Sequence, residues 1–297
     1  MKTALIGRGA IGILYAMQMR SHGTEPDLLA DPARKARYER EDLLVNGEKT
    51  DFHYVVPDGT QTYDLILIMT KNGGLQAALE TIAPAVNDNT ILLSCLNGIS
   101  SEDVVRARFP GNPVIRTIVQ GMDTVCLQGA CRYSHIGEIL IGAEKPEDEE
   151  VIGRLVRFFA SIQMPCRVCE DIIASQWNKL MLNCGVNQIC AAYGCGYGGA
   201  VGEHKDRFVR TMQEVKSVAN AKGIALTDAD IDAWVRLCET LDPDAMPSMA
   251  QDIQAGRPTE LALFSGTVVP MANKLGIPVP ELEELAHKIE QIEQKQA

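Results

Sequence analysis

Lys179, Asn183 and Asn187 recur every four residues in an otherwise apolar stretch that runs from Leu180 to Cys190. On an α-helix each step of four drifts by only about 40°, so an ammonium and two carboxamides share one face among neighbours that favour burial. Burying such groups is costly unless they find partners. Burial also lowers the pKa of a lysine in general, which suits proton transfer near neutrality. A plainer reading fits the same spacing: a snorkelling lysine and two asparagines bonded to nearby loops.

A second set of residues points to phosphate chemistry. Gly7-Arg8-Gly9-Ala10-Ile11-Gly12 follows the strand-like run Thr3-Ala4-Leu5-Ile6 and opens a helical pattern from Ala10 to Arg20. In that context the first glycine permits a tight turn, the second admits a diphosphate to the backbone, and the third lets helix and strand pack closely. Amide donors and the helix dipole supply the positive end that a diphosphate needs. Asp31 ends the next predicted strand, 19 residues beyond Gly12. An acid there bonds a ribose 2′-hydroxyl and repels the 2′-phosphate of NADP(H), which favours NAD(H) slightly. Arg34, Lys35 and Arg37 lie just downstream, where they could take a phosphate or form a solvated helix face.

These residues need a scaffold. A chain of 297 residues exceeds one comfortable core, and two domains are expected, 1–169 and 170–297. In the first, Leu65–Met69 and Ile91–Cys95 are continuous apolar runs, the pattern of strands buried on both faces of a parallel sheet. Helical spacing from Gly74 to Ile82 separates them, which predicts an α/β doubly wound sheet. Antiparallel strands are expected around Val119, Cys131–His135 and Ile139–Ile141, then a helix from Glu149 to Ser161 and a strand ending at Cys169. The second domain reads as all helical: Ile172–Cys190, Phe208–Lys222, Asp228–Leu241, Glu260–Lys274 and Glu281–Glu293. Gly194–Gly199 reads as a bend between helices.

Composition narrows the function classes. Hydrophobic content of 46% with 23% charged residues is ordinary for a soluble globular protein, and no apolar run reaches membrane-span length. The formal charge of −11 opposes nonspecific attraction to nucleic acid. The first residues do not form a secretory signal, so a cytoplasmic protein is expected, with its nine cysteines mostly reduced and buried. Cys166-Arg167-Val168-Cys169 lacks the second ligand pair a zinc site wants, and no metal is expected.

Thr70-Lys71 and Asn97-Gly98 follow predicted strands, at the sheet edge where open α/β sheets bind ligands. Ser248 precedes Gln251-Asp252, and Thr259-Glu260 opens a predicted helix. With Gly7–Gly12, Trp177-Asn178-Lys179-Leu180, Asn183 and Asn187, in this order and spacing, the chain resembles the ketopantoate reductase (2-dehydropantoate 2-reductase) family over nearly its full length.

The resemblance implies a Rossmann domain, a helical domain similar to that of 6-phosphogluconate dehydrogenases, a cleft between them, and a small-molecule 2-oxo acid as substrate. It implies that Lys179 is the general acid that protonates the carbonyl oxygen as hydride reaches the 2-oxo carbon. Glu260 would orient Lys179 and the nicotinamide end of the cofactor. Asn183, Asn187 and Ser248 would hold the substrate, Asn97 would touch substrate and cofactor, and Lys71 would lie near the cofactor. The family's use of NADPH and the frequency of homodimers among relatives are implied too.

Three departures qualify this picture. The family commonly has arginine where this chain has Asp31, Asn-Pro where it has Asn187-Gln188, and Asn-Gly where it has Tyr197-Gly198. That last asparagine is a substrate contact in the family, so Tyr197 suits a less polar 2-oxo acid. An NAD-dependent D-2-hydroxyacid dehydrogenase is therefore an alternative. A noncatalytic dinucleotide sensor is another, and it would not need Lys179 and Glu260 together.

Overall fold

A computed structural model describes residues 1–127 and 129–296 and divides into two compact units, Met1–Ile172 and Ile173–Ala297. In the first unit the elements run β1 (Thr3–Ile6), α1 (Ala10–Ser21), β2 (Asp27–Leu29), α2 (Pro32–Tyr38), β3 (Leu43–Val45), β4 (Glu48–Thr50), β5 (Tyr54–Val55), β6 (Leu65–Ile68), α3 (Leu75–Ile82) and β7 (Ile91–Ser94). They continue with α4 (Ser101–Arg108), β8 (Val114–Met122), β9 (Val125–Leu127), β10 (Ala130–Arg132), β11 (Ile136–Gly142), α5 (Asp148–Ser161) and β12 (Cys166–Val168).

Eight strands form one sheet in the order β12-β11-β8-β7-β6-β1-β2-β5, parallel throughout except where β11 runs against β8. The continuous apolar runs are explained by the two cores. Leu5, Leu65, Leu67, Ile91 and Leu93 face one core, where Ile13, Leu14 and Met19 of α1 and Leu155, Phe158 and Phe159 of α5 pack. Their alternates Ala4, Ile6, Ile66, Ile68 and Leu92 face the other, under Leu75, Leu79 and Ile82 of α3 and Val105 of α4. Each such side chain contributes about 1.5–3 kcal/mol of burial, so the strands have no face to spare for water.

A small second sheet, β4-β3-β10-β9, was not anticipated. Its strands are three residues each, and β10 pairs with β3 from far upstream, so no local period announces it. It also pairs Cys126 with Cys131 as a disulfide across β9 and β10, a pairing that the sequence reading did not name. The other seven cysteines take part in no disulfide, in keeping with mostly reduced thiols.

The second unit is helical: α6 (Ile172–Leu182), α7 (Gln188–Tyr193), α8 (Tyr197–Val201), α9 (Lys205–Ala221), α10 (Asp228–Thr240), α11 (Ser248–Gln254), α12 (Ser265–Leu275) and α13 (Pro280–Gln296). α7 packs on α11 and α13, and α9 on α12 and α13. Glu214 of α9 caps α13, accepting the amides of Glu281 and Leu282 at 2.9 Å each.

Two expected elements differ. The helix expected from Glu260 starts at Ser265, because Phe264 (φ −104, ψ −103) interrupts it after a 3₁₀ turn at Leu261–Leu263. The glycine-rich bend contains helix α8, seated on a neighbouring loop by Tyr197 N–H to Ala245 O (3.0 Å) and Gly198 N–H to Pro243 O (2.9 Å). Among the described residues no helix is long and apolar enough to cross a membrane, and no group of His, Cys, Asp and Glu could hold a metal ion.

Candidate active site

In the first unit the turn after β1 divides its glycines by task. Gly7 has φ +120, and a Cβ there would lie 2.3 Å from Met69 O; one on Gly12 would lie 2.0 Å from Gly7 O. These two are required by the fold. A Cβ on Gly9 would meet nothing within 4 Å, so its bareness is not needed for internal packing and leaves the backbone open to a ligand. Gly9 caps α1 without a side-chain hydrogen bond, and the first turn carries no acidic residue. That is the donor set an anion needs. Ala10 and Ile11 begin the helix, and Thr124 Oγ1 donates to Ala10 O at 3.3 Å.

Asp31 stands just past β2 as the N-cap of α2. Its Oδ1 accepts Arg34 N–H at 2.8 Å and its Oδ2 accepts Arg34 Nη1 at 2.7 Å. The Arg34 amide, with help from its guanidinium, holds the Asp31 carboxyl below the usual carboxylate range. Arg8 points away from the turn, its guanidinium 4.7 Å from the centre of the Tyr38 ring and bonded to Glu41 Oε2 at 3.0 Å.

Thr70-Lys71 follows β6, where Lys71 caps a short 3₁₀ turn. The Thr70 hydroxyl is buried with no hydrogen-bond partner, an unmet polar group at the carboxyl edge of the sheet. Asn97 and Gly98 (φ +89) follow β7. Their loop is braced by Arg116 of β8, which donates to Ile99 O at 3.2 Å. Beside it the Glu102 carboxylate, 1% exposed, accepts Thr117 N–H at 3.2 Å and the Ser101 hydroxyl at 3.0 Å. Burial pushes the Glu102 carboxyl up. Sequence reasoning missed this brace, since Glu102 reads as an ordinary first-turn acid.

In the second unit α6 and α7 are joined through a π-helical turn, Asn183–Asn187, which the sequence does not announce. Two residues account for its stability. Gly185 lets α9 approach, since a Cβ there would sit 2.6 Å from the Phe208 ring. Gln188 N–H bonds Gly185 O, and the Gln188 side chain donates from Nε2 to Cys184 O at 2.7 Å. π-Turns concentrate at functional sites, and this one carries both asparagines.

Asn183 and Asn187 are each 6% exposed and belong to one directed chain. Met249 N–H and Ser248 Oγ both donate to Asn187 Oδ1 at 3.3 Å, and Asn187 Nδ2 donates to Asn183 Oδ1 at 3.1 Å. A backbone amide can only donate, so Met249 sets the direction of the chain. Asn187 must present oxygen to it, Asn183 must receive Asn187 nitrogen, and the outer end is an Asn183 amide donor. Lys179 is half-buried one turn before Asn183 on the same helix, flanked by buried Trp177 and Leu180. An ammonium followed by an amide donor suits an oxyanion or carboxylate.

The structure thus joins Asn183, Asn187 and Ser248 by hydrogen bonds. Glu260 is half-buried at the head of the 3₁₀ turn, after Thr259, whose Oγ1 accepts Leu261 N–H at 3.2 Å. The Tyr197 phenol lies near Cys190 and Cys238, and burial pushes it up to about 12.

A glycine turn of this form joined to a helical unit is widespread, so the full-length match decides the family. The sequence profile for Ketopantoate reductase PanE/ApbA matches residues 3–145, and that for the Ketopantoate reductase PanE/ApbA C terminal matches residues 171–293. The chain belongs to the ketopantoate reductase family. It is 27% identical over 301 residues to a 2-dehydropantoate 2-reductase of Vibrio cholerae serotype O1, covering 99% of this chain and 98% of that one. A 2-dehydropantoate 2-reductase of Streptococcus pyogenes serotype M3 is 25% identical over 299 residues, covering 97% of each chain. The crystal structure of a PanE/ApbA family ketopantoate reductase from Ralstonia eutropha JMP134 superposes with a TM-score of 0.85 at 28% identity, covering 100% of this chain and 99% of that one. A ternary structure of D-mandelate dehydrogenase with NADH and anilino(oxo)acetate shares the fold, with a TM-score of 0.86 at 22% identity and coverage of 100% and 99%.

Proposed function

We propose that this member of the family is an NAD(P)H-dependent reductase of a 2-oxo acid, ketopantoate by default, with Lys179 as general acid. The observation that carries the proposal is the directed chain from Met249 and Ser248 through Asn187 to Asn183, which ends in a fixed donor one turn from Lys179.

A nicotinamide dinucleotide fits the first unit, where Gly9 leaves the backbone open and Thr70 has an unmet hydroxyl. When bound, the reduced nicotinamide supplies the hydride. The chain's own residues do the rest. Gly7–Gly12 and Lys71 hold the dinucleotide, and Asn97 on its braced loop serves cofactor and substrate. Asn183, Asn187 and Ser248 hold the oxygens of the 2-oxo acid, and Glu260 orients Lys179. As the carbonyl carbon is reduced, Lys179 Nζ gives a proton to the developing alkoxide, a step worth about 10²–10⁴-fold in rate.

We place NAD(H) ahead of NADP(H), because Asp31 is an ionised carboxylate beyond β2. Tyr197, where the family has a substrate-binding asparagine, supports a second reading: a D-2-hydroxyacid dehydrogenase acting on a less polar 2-oxo acid. A homodimer in solution completes the proposal.

The test is a panel of 2-oxo acids, from ketopantoate to phenylpyruvate, assayed with each reduced nicotinamide. Oxidation of NADH by one of them is expected. Tight binding of NADH without turnover on any 2-oxo acid would favour a sensor and overturn the proposal.

A further inference from the structure

Arg8 does more than occupy a variable place in the glycine turn. β1, β2 and β5 are adjacent parallel strands, and Arg8 follows β1. Yet its guanidinium lies 4.7 Å from the Tyr38 ring centre and 5.7 Å from that of Tyr54, which belongs to β5. Strands are about 4.8 Å apart, so the side chain runs across the carboxyl end of β2. That is where Asp31 stands, and where the adenosine ribose of a dinucleotide lies in this type of sheet.

The guanidinium is held from two sides, by the Tyr54 side chain and by Glu41. The Arg8 side chain is 7% exposed, and its Nε is buried with no hydrogen-bond partner. Its remaining polar edge is the Nη pair, and Glu41 holds both: Nη1 donates to Oε2 at 3.0 Å, and Nη2 donates to Glu41 O at 3.4 Å. The same carboxylate lies 3.7 Å from Arg37. Around the corner Arg34 is taken by Asp31 at 2.7 Å and Lys35 by Glu39 at 2.6 Å. Of the two readings open to this basic run in the sequence, the ion pairs favour the solvated helix face, since carboxylates of the chain neutralise it.

We propose that Glu41 is a specificity-determining residue. By engaging the Nη edge of Arg8 it withholds that guanidinium from a 2′-phosphate, and with Asp31 it selects a dinucleotide whose 2′-hydroxyl is free. The inference rests on the dinucleotide reading of the turn given above. Glu41 is half exposed, so its substitution leaves the core untouched.

Fluorescence titration gives the dissociation constants of NADH and NADPH, and competition gives those of 5′-AMP and 2′,5′-ADP. Glu41→Gln should move both affinity ratios about tenfold toward the 2′-phosphorylated ligand, the scale expected for removing one nearby surface charge. Glu41→Asp should keep the wild-type ratios. Adding Arg8→Met to Glu41→Gln should abolish the shift, with thermal melts checking that the protein is folded. Unmoved ratios in Glu41→Gln, or a shift that survives the loss of Arg8, would overturn the inference while leaving the dinucleotide reading intact. A folded wild-type protein that binds neither NADH nor NADPH would overturn both.

Discussion

At Gly7–Gly12 the groups offered to a ligand are backbone amides of a turn, whereas at Asn183–Asn187 they are side chains on a widened helix. The first arrangement is stabilised by what is missing: two glycines whose Cβ atoms would strike carbonyl oxygens, and a third left bare toward solvent. The second is stabilised by what is added: the Gln188 side chain bonded to the Cys184 carbonyl, and a backbone amide fixing the polarity of two carboxamides. A site made of backbone tolerates many side chains around it but almost none within it. A site made of side chains can be altered one bond at a time.

Substitutions separate the two designs. Gly12→Ala should cost about 3 kcal/mol or more, since overpacking against backbone cannot be relieved by a rotamer change, and NADH binding should fall with it. Gly9→Ala should melt within a few degrees of wild type while NADH affinity drops, a split readable by thermal unfolding beside fluorescence titration. Equal losses of stability in the two variants would erase the distinction between fold-required and ligand-facing glycines.

In the second unit, Asn187→Ala strips Met249 N–H and Asn183 Oδ1 of their partner, and should destabilise by about 1–3 kcal/mol. It should also raise KM for the 2-oxo acid far more than the dissociation constant of NADH. Gln188→Leu is a milder test, expected to cost about 1–2 kcal/mol through loss of the bond from its amide to Cys184 O. An unchanged denaturation midpoint would show that the turn does not need that amide.

The smallest effect concerns pH. A lowered carboxyl pKa means that Asp31 is ionised above its folded value and loses its interactions only as pH falls through that value, below the ordinary range near pH 4. Between about pH 5 and pH 8 Asp31 should add no step to NADH affinity. A step in that window that disappears in Asp31→Asn would contradict the assignment.

The same contrast decides what was legible in the sequence. β6 and β7 were read from unbroken apolar runs because both faces of those strands are covered, and the glycine turn was read because its residue types and spacing form a motif directly between a strand and a helix. The stripe of Lys179, Asn183 and Asn187 was visible as spacing, but the π-turn that carries it depends on Gly185 against Phe208, a contact with a distant helix. The bracing of the loop after β7 by Arg116 and the tether from Arg8 to Glu41 were invisible for a similar reason. Each joins groups far apart in sequence, which no local pattern encodes. The small sheet pairs Leu44 with Ala130, and its three-residue strands are too short to show a period.

The central claim is that Lys179 gives up a proton while the amide chain holds the substrate oxygens, a duty separate from holding the dinucleotide. Single-turnover oxidation of bound NADH by the best 2-oxo acid, compared between wild type and Lys179→Ala, tests it most directly. The variant should bind NADH as wild type does and react more slowly by about 10²–10⁴-fold. A rate within a few fold of wild type would contradict the account.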